Sequence, residues 1–216
     1  LLRTESSKIY FLTGHGEYNP NSADRHTGAS NIARLLELYD NEIDILNLNK
    51  NCQIPKDCDI LTIAGPTTIF SETEINAIST YLNNGGKALF LFDSYFANGL
   101  APLLNIWNIQ ISAPLSQGNK NIIPVTTTIY NRHEITEPLT NIATTFSSPC
   151  YLSPASDIHL TTTELADKPI FTPLILSEPS ITKEDFPSTI AAAVQLGMPD
   201  ELGKKQNTRI VVCGDA

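Results

Sequence analysis

An apolar run that stops at a glycine-rich turn constrains this chain more than any other feature. Residues 8–13 read Lys-Ile-Tyr-Phe-Leu-Thr, which is typical of a buried strand, and residues 14–17 follow as Gly-His-Gly-Glu. The pattern predicts a strand that delivers a polar, flexible turn to one edge of a sheet. In open α/β proteins ligands bind at the edge formed by the carboxyl ends of the strands, so a functional site is expected there.

Strand and helix patterns alternate through the first half of the chain. Strands are predicted at 8–13, 42–48, 59–64 and 87–92, and a helix at 28–39. In that helix Ile32, Leu35, Leu36 and Tyr39 recur at helical spacing and form one apolar stripe. Alternation with short connections is typical of a mainly parallel sheet covered on both faces.

Local sequence signals also predict where a second helix begins and ends. Ser71 and Glu74 match a capping box at its start, and Gly85-Gly86 supplies the glycine that commonly ends a helix. A weaker helix at about 97–107 and a short strand near 109–111 would complete a flavodoxin-like core over residues 8–112.

The second half is less regular and is interrupted by prolines. Strands are predicted at 122–130, 158–165, 170–176, 189–196 and 209–213. We interpret residues 113–186 as an irregular β-rich insertion and 187–216 as strands that return to the core sheet. The whole chain, 1–216, then forms a single α/β domain.

Charge and cysteine content exclude several classes of protein. The net charge is −9, from 23 acidic and 14 basic side chains, which argues against a nucleic-acid partner. Cys52, Cys58, Cys150 and Cys213 contain no CxxC pair, so neither a zinc ribbon nor a thioredoxin-type redox motif is present. Cys213 reads as a buried, inert thiol, whereas Cys52 and Cys58 are either two free thiols or a disulfide.

No apolar run is long enough to span a membrane, and the start lacks a signal-peptide pattern. The chain begins with Leu1-Leu2-Arg3 and ends directly after a predicted strand. We therefore expect it to be part of a longer protein whose targeting and membrane segments lie outside residues 1–216.

The predicted carboxyl edge lacks the groups of a hydrolase. No G-x-S-x-G elbow occurs, and the turns after the strands offer His15, Gly65-Pro66, Asp93 and Gly214-Asp215, none of which is a nucleophile beside a base. Gly14 and Gly16 match the start of the G-x-G-x-x-G dinucleotide-binding motif, but its sixth position is Asn19 instead of glycine. The sequence contains no Walker A motif. We predict no enzymatic activity and no cofactor.

Metal binding is not predicted either. His15, Glu17 and Asp93 would bind a cation only if they converged, and a hydrogen-bonded turn that orders the loop is the preferred interpretation. The predicted ligand-binding rim consists of residues Gly14, His15, Gly16, Glu17, Gly65, Pro66 and Asp93.

Four motifs together resemble a known family. They are residues 10–17, Ile54-Pro55 with 59–66, Tyr81-Leu82 with 85–87, and 209–215. They are similar to the gliding-motility-type, GldG-like auxiliary proteins of ABC transporters, whose domain is also similar to one in intraflagellar transport proteins. The resemblance implies an α/β fold akin to the class I glutamine amidotransferase-like group, without its catalytic residues.

The resemblance further implies where such a domain is located and which proteins it works with. Such a domain would be extracytoplasmic, in a membrane-anchored bacterial protein that works beside an ABC permease and a separate ATPase. We expect a non-catalytic auxiliary or substrate-recognition domain, with the rim as its recognition surface. The alternative is a carbohydrate-binding module in which Tyr18 or Tyr95 stacks on a sugar, and a degenerate hydrolase using His15 or Asp93 is a third hypothesis.

Overall fold

The computed structural model describes residues 6–50, 52–92, 100–112, 124–155, 169–178, 187–196 and 208–215. The helices of these ranges are α1 (Ser30–Leu38), α2 (Glu72–Asn83), α3 (Ala101–Ile106) and a 3-10 turn (Glu137–Leu139). The strands are β1 (Lys8–Leu12), β2 (Glu42–Leu46), β3 (Ile60–Ala64), β4 (Lys87–Leu91), β5 (Gln110–Ser112), β6 (Val125–Thr127), β7 (Ile129–Tyr130), β8 (Thr144–Phe146), β9 (Tyr151–Ser153), β10 (Ile170–Leu176), β11 (Thr189–Leu196) and β12 (Thr208–Cys213).

A ten-stranded mixed sheet organises most of the described residues, and β6 and β8 pair antiparallel in a separate two-stranded sheet. Its main path runs β2-β1-β3-β4-β12-β11-β10-β7, and β9 extends it by pairing with both β11 and β5. Neighbours pair in parallel from β2 to β12 and antiparallel from β12 to β7. The predicted mixed α/β class is confirmed, whereas the more specific flavodoxin-like assignment is not.

The two faces of the sheet are covered differently. Successive strand residues point to opposite faces, so Tyr10 and Leu12 pack in the main core with α2 and α3. Ile9 and Phe11 point the other way, into a small cluster with Ala29 beside α1. Helices α1 and α2 therefore lie on opposite faces of the sheet.

Helix α2 begins and ends where the sequence predicts. The Ser71 side chain accepts a hydrogen bond from the Glu74 amide, and the Glu74 carboxylate accepts one from the Ser71 amide, so the capping box is confirmed. The helix ends at Asn83, and Gly85 follows with φ +89°, a conformation that costs glycine little.

Helix α1 is also confirmed, but its apolar stripe is not buried. Ile32, Leu35 and Tyr39 are 49%, 54% and 71% exposed, while Ala33 is buried. The periodicity located the helix correctly, and within its stripe Leu36 is partly buried and packs beside Ile9 and Phe11.

The short strand predicted after α3 is present as β5, and it joins the sheet at a different place from β4. Strand β5 pairs only with β9, antiparallel, and the position beside β4 belongs to β12. The run Ile210 to Val212 is far more apolar than Gln110-Ile111-Ser112, so β12 fits a buried central position better.

The irregular second half follows the predicted strands in part. Strands β10 and β11 have the predicted bounds, the segment at 122–130 contains two short strands, and 158–165 lies outside the described residues. Pro173 lies within β10 where the pairing with β11 shifts register, as expected for a residue without an amide donor.

The cysteines are thiols. Cys52 is exposed and Cys58 is buried, and both are free, which resolves the alternative left open by their spacing. Burial raises the pKa of Cys213 to about 11, so this thiol stays protonated and unreactive at neutral pH.

Candidate functional site

The order of the strands places the topological switch point of the sheet between β1 and β3. From β1 the chain crosses through α1 to β2 on one side, and from β3 it crosses through α2 to β4 on the other. Such a reversal is the topological switch point of an α/β sheet, where diverging loops commonly leave a binding crevice. Here the loops after β1 and β3 are joined instead.

His15 joins them. Its carbonyl oxygen accepts hydrogen bonds from the Thr67 and Thr68 amides at 2.7 and 3.0 Å, and the Tyr18 amide donates to Ala64. The His15 ring stacks on Phe70 with centroids 4.1 Å apart. Only 5% of the residue is exposed, so the imidazole fills the space between the two loops.

Two carboxylates flank the imidazole. Glu74 Oε2 lies 3.2 Å from His15 Nε2, and Glu17 Oε1 lies 3.4 Å from His15 Nδ1. The other Glu17 oxygen accepts a 2.7 Å hydrogen bond from the His15 amide and so closes the turn on itself. We call His15, Glu17 and Glu74 the buried triad, because Glu17 is 7% and Glu74 2% exposed.

The triad extends into the cap of helix α2. Glu74 Oε2 accepts from the Ser71 amide at 2.8 Å and from the Ser71 hydroxyl at 2.7 Å. Burial raises the pKa of Glu74, but the hydrogen bonds from Ser71 and the charge of His15 outweigh burial, so the net pKa lies below its ordinary value. Glu74 therefore stabilises the fold as a carboxylate.

This pKa shift predicts acid sensitivity. A carboxyl whose pKa is lower in the folded state stabilises the protein above its unfolded pKa of about 4.5 and loses that contribution as pH falls through the folded pKa. Glu74→Gln should therefore flatten the dependence of unfolding free energy on pH below about pH 5. Urea unfolding at a series of pH values measures it.

Glu72→Gln is the matched control for this experiment. Glu72 lies in the same first turn of α2 but is exposed. The interpretation fails if both variants show the same pH dependence as the parent protein.

The geometry of the triad disfavours chemistry. Its carboxylates lie at opposite nitrogens of the ring, so the three side chains do not converge on one point. Among the described residues no cluster of histidine, cysteine or acidic side chains is arranged to hold a metal ion. No serine or cysteine nucleophile contacts the imidazole in this part of the chain. The arrangement can order a turn, but it presents no reactive group to solvent.

The structure separates the residues of the predicted rim. Gly14 and Gly16 are exposed, with φ +126° and +82°, whereas His15 and Glu17 are buried below them. Gly65 and Pro66 are also buried. The Tyr18 ring covers Gly65. Asp93 lies outside the described residues, as does Tyr95.

Sequence reasoning missed the partners of the turn. Thr67, Thr68 and Phe70 contact His15, and Glu74 was recognised only as a helix cap. The capping box was the available signal, because it places a carboxylate at the carboxyl edge of β3. The Asp215 carboxylate accepts hydrogen bonds from the Ser147 and Ser148 amides, and so holds the residues after β8 against the end of β12.

Within the described ranges, no helix has both the length and the apolarity needed to cross a membrane.

Three solved structures share the fold. The N-terminal domain of mmIFT52 is 15% identical with a TM-score of 0.62, over 97% of this chain and 86% of that one. A putative ThuA-like protein from Bacteroides uniformis is 13% identical with a TM-score of 0.60, over 99% and 85%. The exo-β-1,4-mannosidase Op5Man5 from Opitutaceae bacterium strain TAV5 is 12% identical with a TM-score of 0.50, over 97% of this chain and 31% of the enzyme. At these identities the likeness concerns the fold alone.

Sequence comparison identifies the family. No curated protein matches the chain at a significant level. A family model matches residues 6–216, almost the whole chain, and confirms the predicted resemblance to auxiliary proteins of ABC transporters. The chain belongs to the ABC_transp_aux family, described as an ABC-type uncharacterized transport system.

Proposed function

We propose that this domain is a non-catalytic recognition component of an ABC-type transport system. It acts on the extracytoplasmic side, as part of a membrane-anchored protein, beside a permease and a separate ATPase. Family membership supports the association with transport. The observation that supports the non-catalytic role is the burial of the triad, because its three side chains are at most 7% exposed and lie against one another rather than at the surface.

The surface above the triad is the proposed contact surface. This exposed rim differs from the predicted one, because four residues of the predicted set are buried. From here on the rim is the exposed set at the carboxyl ends of β1 and β3, which comprises Gly14, Gly16, Thr67, Thr68 and Ile69. Ile69 is 80% exposed, although a large apolar side chain in water gains nothing for the fold. Hydrogen bonds from Thr67 and Thr68 to His15 hold this surface rigid, which lowers the entropic cost of binding a partner.

Copurification tests the proposed function. The tagged full-length protein, purified from gently solubilised native membranes, should bring a permease and an ATPase in stoichiometric amounts. Ile69→Asp should lower their recovery about tenfold, because it places a charge in the centre of the proposed contact. Quantitative mass spectrometry of the eluate measures both.

Ile142→Asp provides the matched control, since Ile142 is a 51% exposed isoleucine outside the rim. The proposal is wrong if the wild-type protein arrives without transporter subunits. The assignment of the rim alone is wrong if Ile142→Asp and Ile69→Asp reduce recovery equally.

A second candidate function is carbohydrate binding, and one groove favours it. The groove has a volume of about 740 Å³ and lies between α2 and residues 52–58. Its lining includes the uncharged hydrogen-bonding side chains of Gln53, Asn76 and Thr80, and the ring of Tyr81. Amides, hydroxyls and an aromatic face are groups that can recognise a neutral sugar.

A glycan array distinguishes the two functions. Binding to a defined glycan that is lost in Asn76→Ala, together with copurification of no transporter subunit, would favour the carbohydrate-binding module. If no glycan on the array binds and transporter subunits are recovered, the result would favour the transport component.

A further inference from the structure

A second cavity opens on the face of the sheet opposite α2. It has a volume of about 270 Å³ and lies between residues 18–29, helix α1 and the strands β1, β3 and β4. This is at the lower end of the volumes of ligand pockets, so the cavity suits a small molecule. It is separate from both the buried triad and the groove beside α2.

The interior of the cavity is apolar. Phe11, Leu89 and Leu91 form its floor on the sheet, and Ile32 and Leu36 form a wall on α1. Leu89 and Leu91 are only partly buried, and Ile32 is 49% exposed. Apolar side chains that line an open concavity gain free energy when a ligand displaces water from them.

The mouth of the cavity carries positive charge. Arg25 and the polar ring of His26 line it, and both residues are exposed. Within the described part of the chain, no ion pair involves Arg25, although acidic residues outnumber basic ones by 23 to 14. The neighbouring Asp24 carboxylate instead accepts hydrogen bonds from the His26 and Thr27 amides.

One buried polar side chain also lines the cavity. Thr62 is 2% exposed and lies on the same face of the sheet as Phe11 and Ala64. None of the described residues makes a hydrogen bond to the Thr62 hydroxyl. A hydroxyl in the wall of an otherwise apolar cavity can donate or accept a hydrogen bond, so it can contact a polar atom of a bound ligand.

We propose that this cavity binds a small amphipathic organic anion. The apolar part of the ligand packs on the floor and the α1 wall, and its acidic group pairs with Arg25 at the mouth. Guanidinium groups bind carboxylates through paired, charge-assisted hydrogen bonds, which makes a carboxylic acid with a short apolar chain the matching class. The proposal does not rest on the proposed transport function.

Titration of the purified protein with octanoate tests this proposal. Isothermal titration calorimetry should show saturable binding with one site. Arg25→Gln should weaken the affinity about tenfold or more, because it removes the charge-assisted pair. Acetate, which lacks the apolar chain, and 1-octanol, which lacks the charge, should each bind more weakly than octanoate.

Arg34→Gln is the matched control, because Arg34 is an exposed arginine on α1 that does not line this cavity and its loss changes net charge equally. Leu89 and Leu91 line the cavity, so changes in their amide chemical shifts report whether octanoate binds inside it. The proposal is overturned if octanoate does not saturate, if both arginine variants lose the same affinity, or if these amide shifts stay unchanged at saturation. Failure would leave the copurification result unaffected.

Discussion

Replacing His15 with alanine is expected to lower the free energy of unfolding by about 3–5 kcal/mol, the range for removing a buried aromatic ring together with the hydrogen bonds that it makes. The change leaves Glu17 and Glu74 as buried carboxylates without the imidazole between them. It also removes the ring that stacks on Phe70 and leaves a cavity between the loops. Urea unfolding followed by circular dichroism measures the loss.

Two further variants make this prediction specific. His26→Ala removes an exposed histidine and should change stability by less than about 0.5 kcal/mol. His15→Gln keeps a hydrogen-bonding side chain and should lose less stability than alanine, which provides a measurable variant if His15→Ala does not fold. A loss below about 1 kcal/mol for His15→Ala would show that the triad does not stabilise the turn.

Gly16→Ala is expected to cost about 2–4 kcal/mol, by combining left-handed backbone strain with overpacking. Gly16 has a φ of +82°, a backbone angle that residues other than glycine rarely adopt. A Cβ atom built there overlaps the Thr67 hydroxyl, which donates a hydrogen bond to the His15 carbonyl. The substitution therefore strains the turn and displaces the residue that joins it to the loop after β3.

A double variant separates these two causes. Thr67→Ala removes the overlapping hydroxyl, so Gly16→Ala/Thr67→Ala should recover the overpacking part of the loss and retain the backbone part. Thermal unfolding of the single and double variants measures both. Equal stability of Gly16→Ala and the parent protein would contradict the close approach of the two loops.

The elements that the sequence predicted well are governed by local interactions. The cap of α2 depends on Ser71 and Glu74, which are three residues apart, and the glycine after the helix acts within the same turn. The extended runs at 189–196 and 170–176 are also visible without knowledge of their partners. In such segments the backbone conformation follows from the residues themselves.

The errors concern which elements pack together. The apolar stripe of α1 could be recognised as helical, but whether enough sheet surface covers it depends on the rest of the fold. Likewise the sequence analysis did not specify which strand lies beside β4, and in the structure it is β12, from the far end of the chain. Periodicity gives the type of an element, whereas its neighbours are set by tertiary packing.

At the candidate site, too, the local feature was predicted and the long-range contact was not. The turn at residues 14–17 was predicted, and its position at the carboxyl edge is correct. The contact between His15 and Glu74 joins residues 59 positions apart, and no local pattern announces it. The interpretation preferred from the sequence was a hydrogen-bonded turn that orders the loop, and the contact with Glu74 adds that His15 also holds two loops together.

A double-mutant cycle between His15 and Glu74 tests most directly the claim that the triad closes the switch-point crevice. Unfolding free energies are measured for the parent, His15→Ala, Glu74→Ala and the double variant, so the capping role of Glu74 cancels from the coupling. We expect a coupling of at least about 1.5 kcal/mol, against about zero for the same cycle with the exposed Glu72. Additive losses for His15 and Glu74, within about 0.5 kcal/mol, would contradict the account.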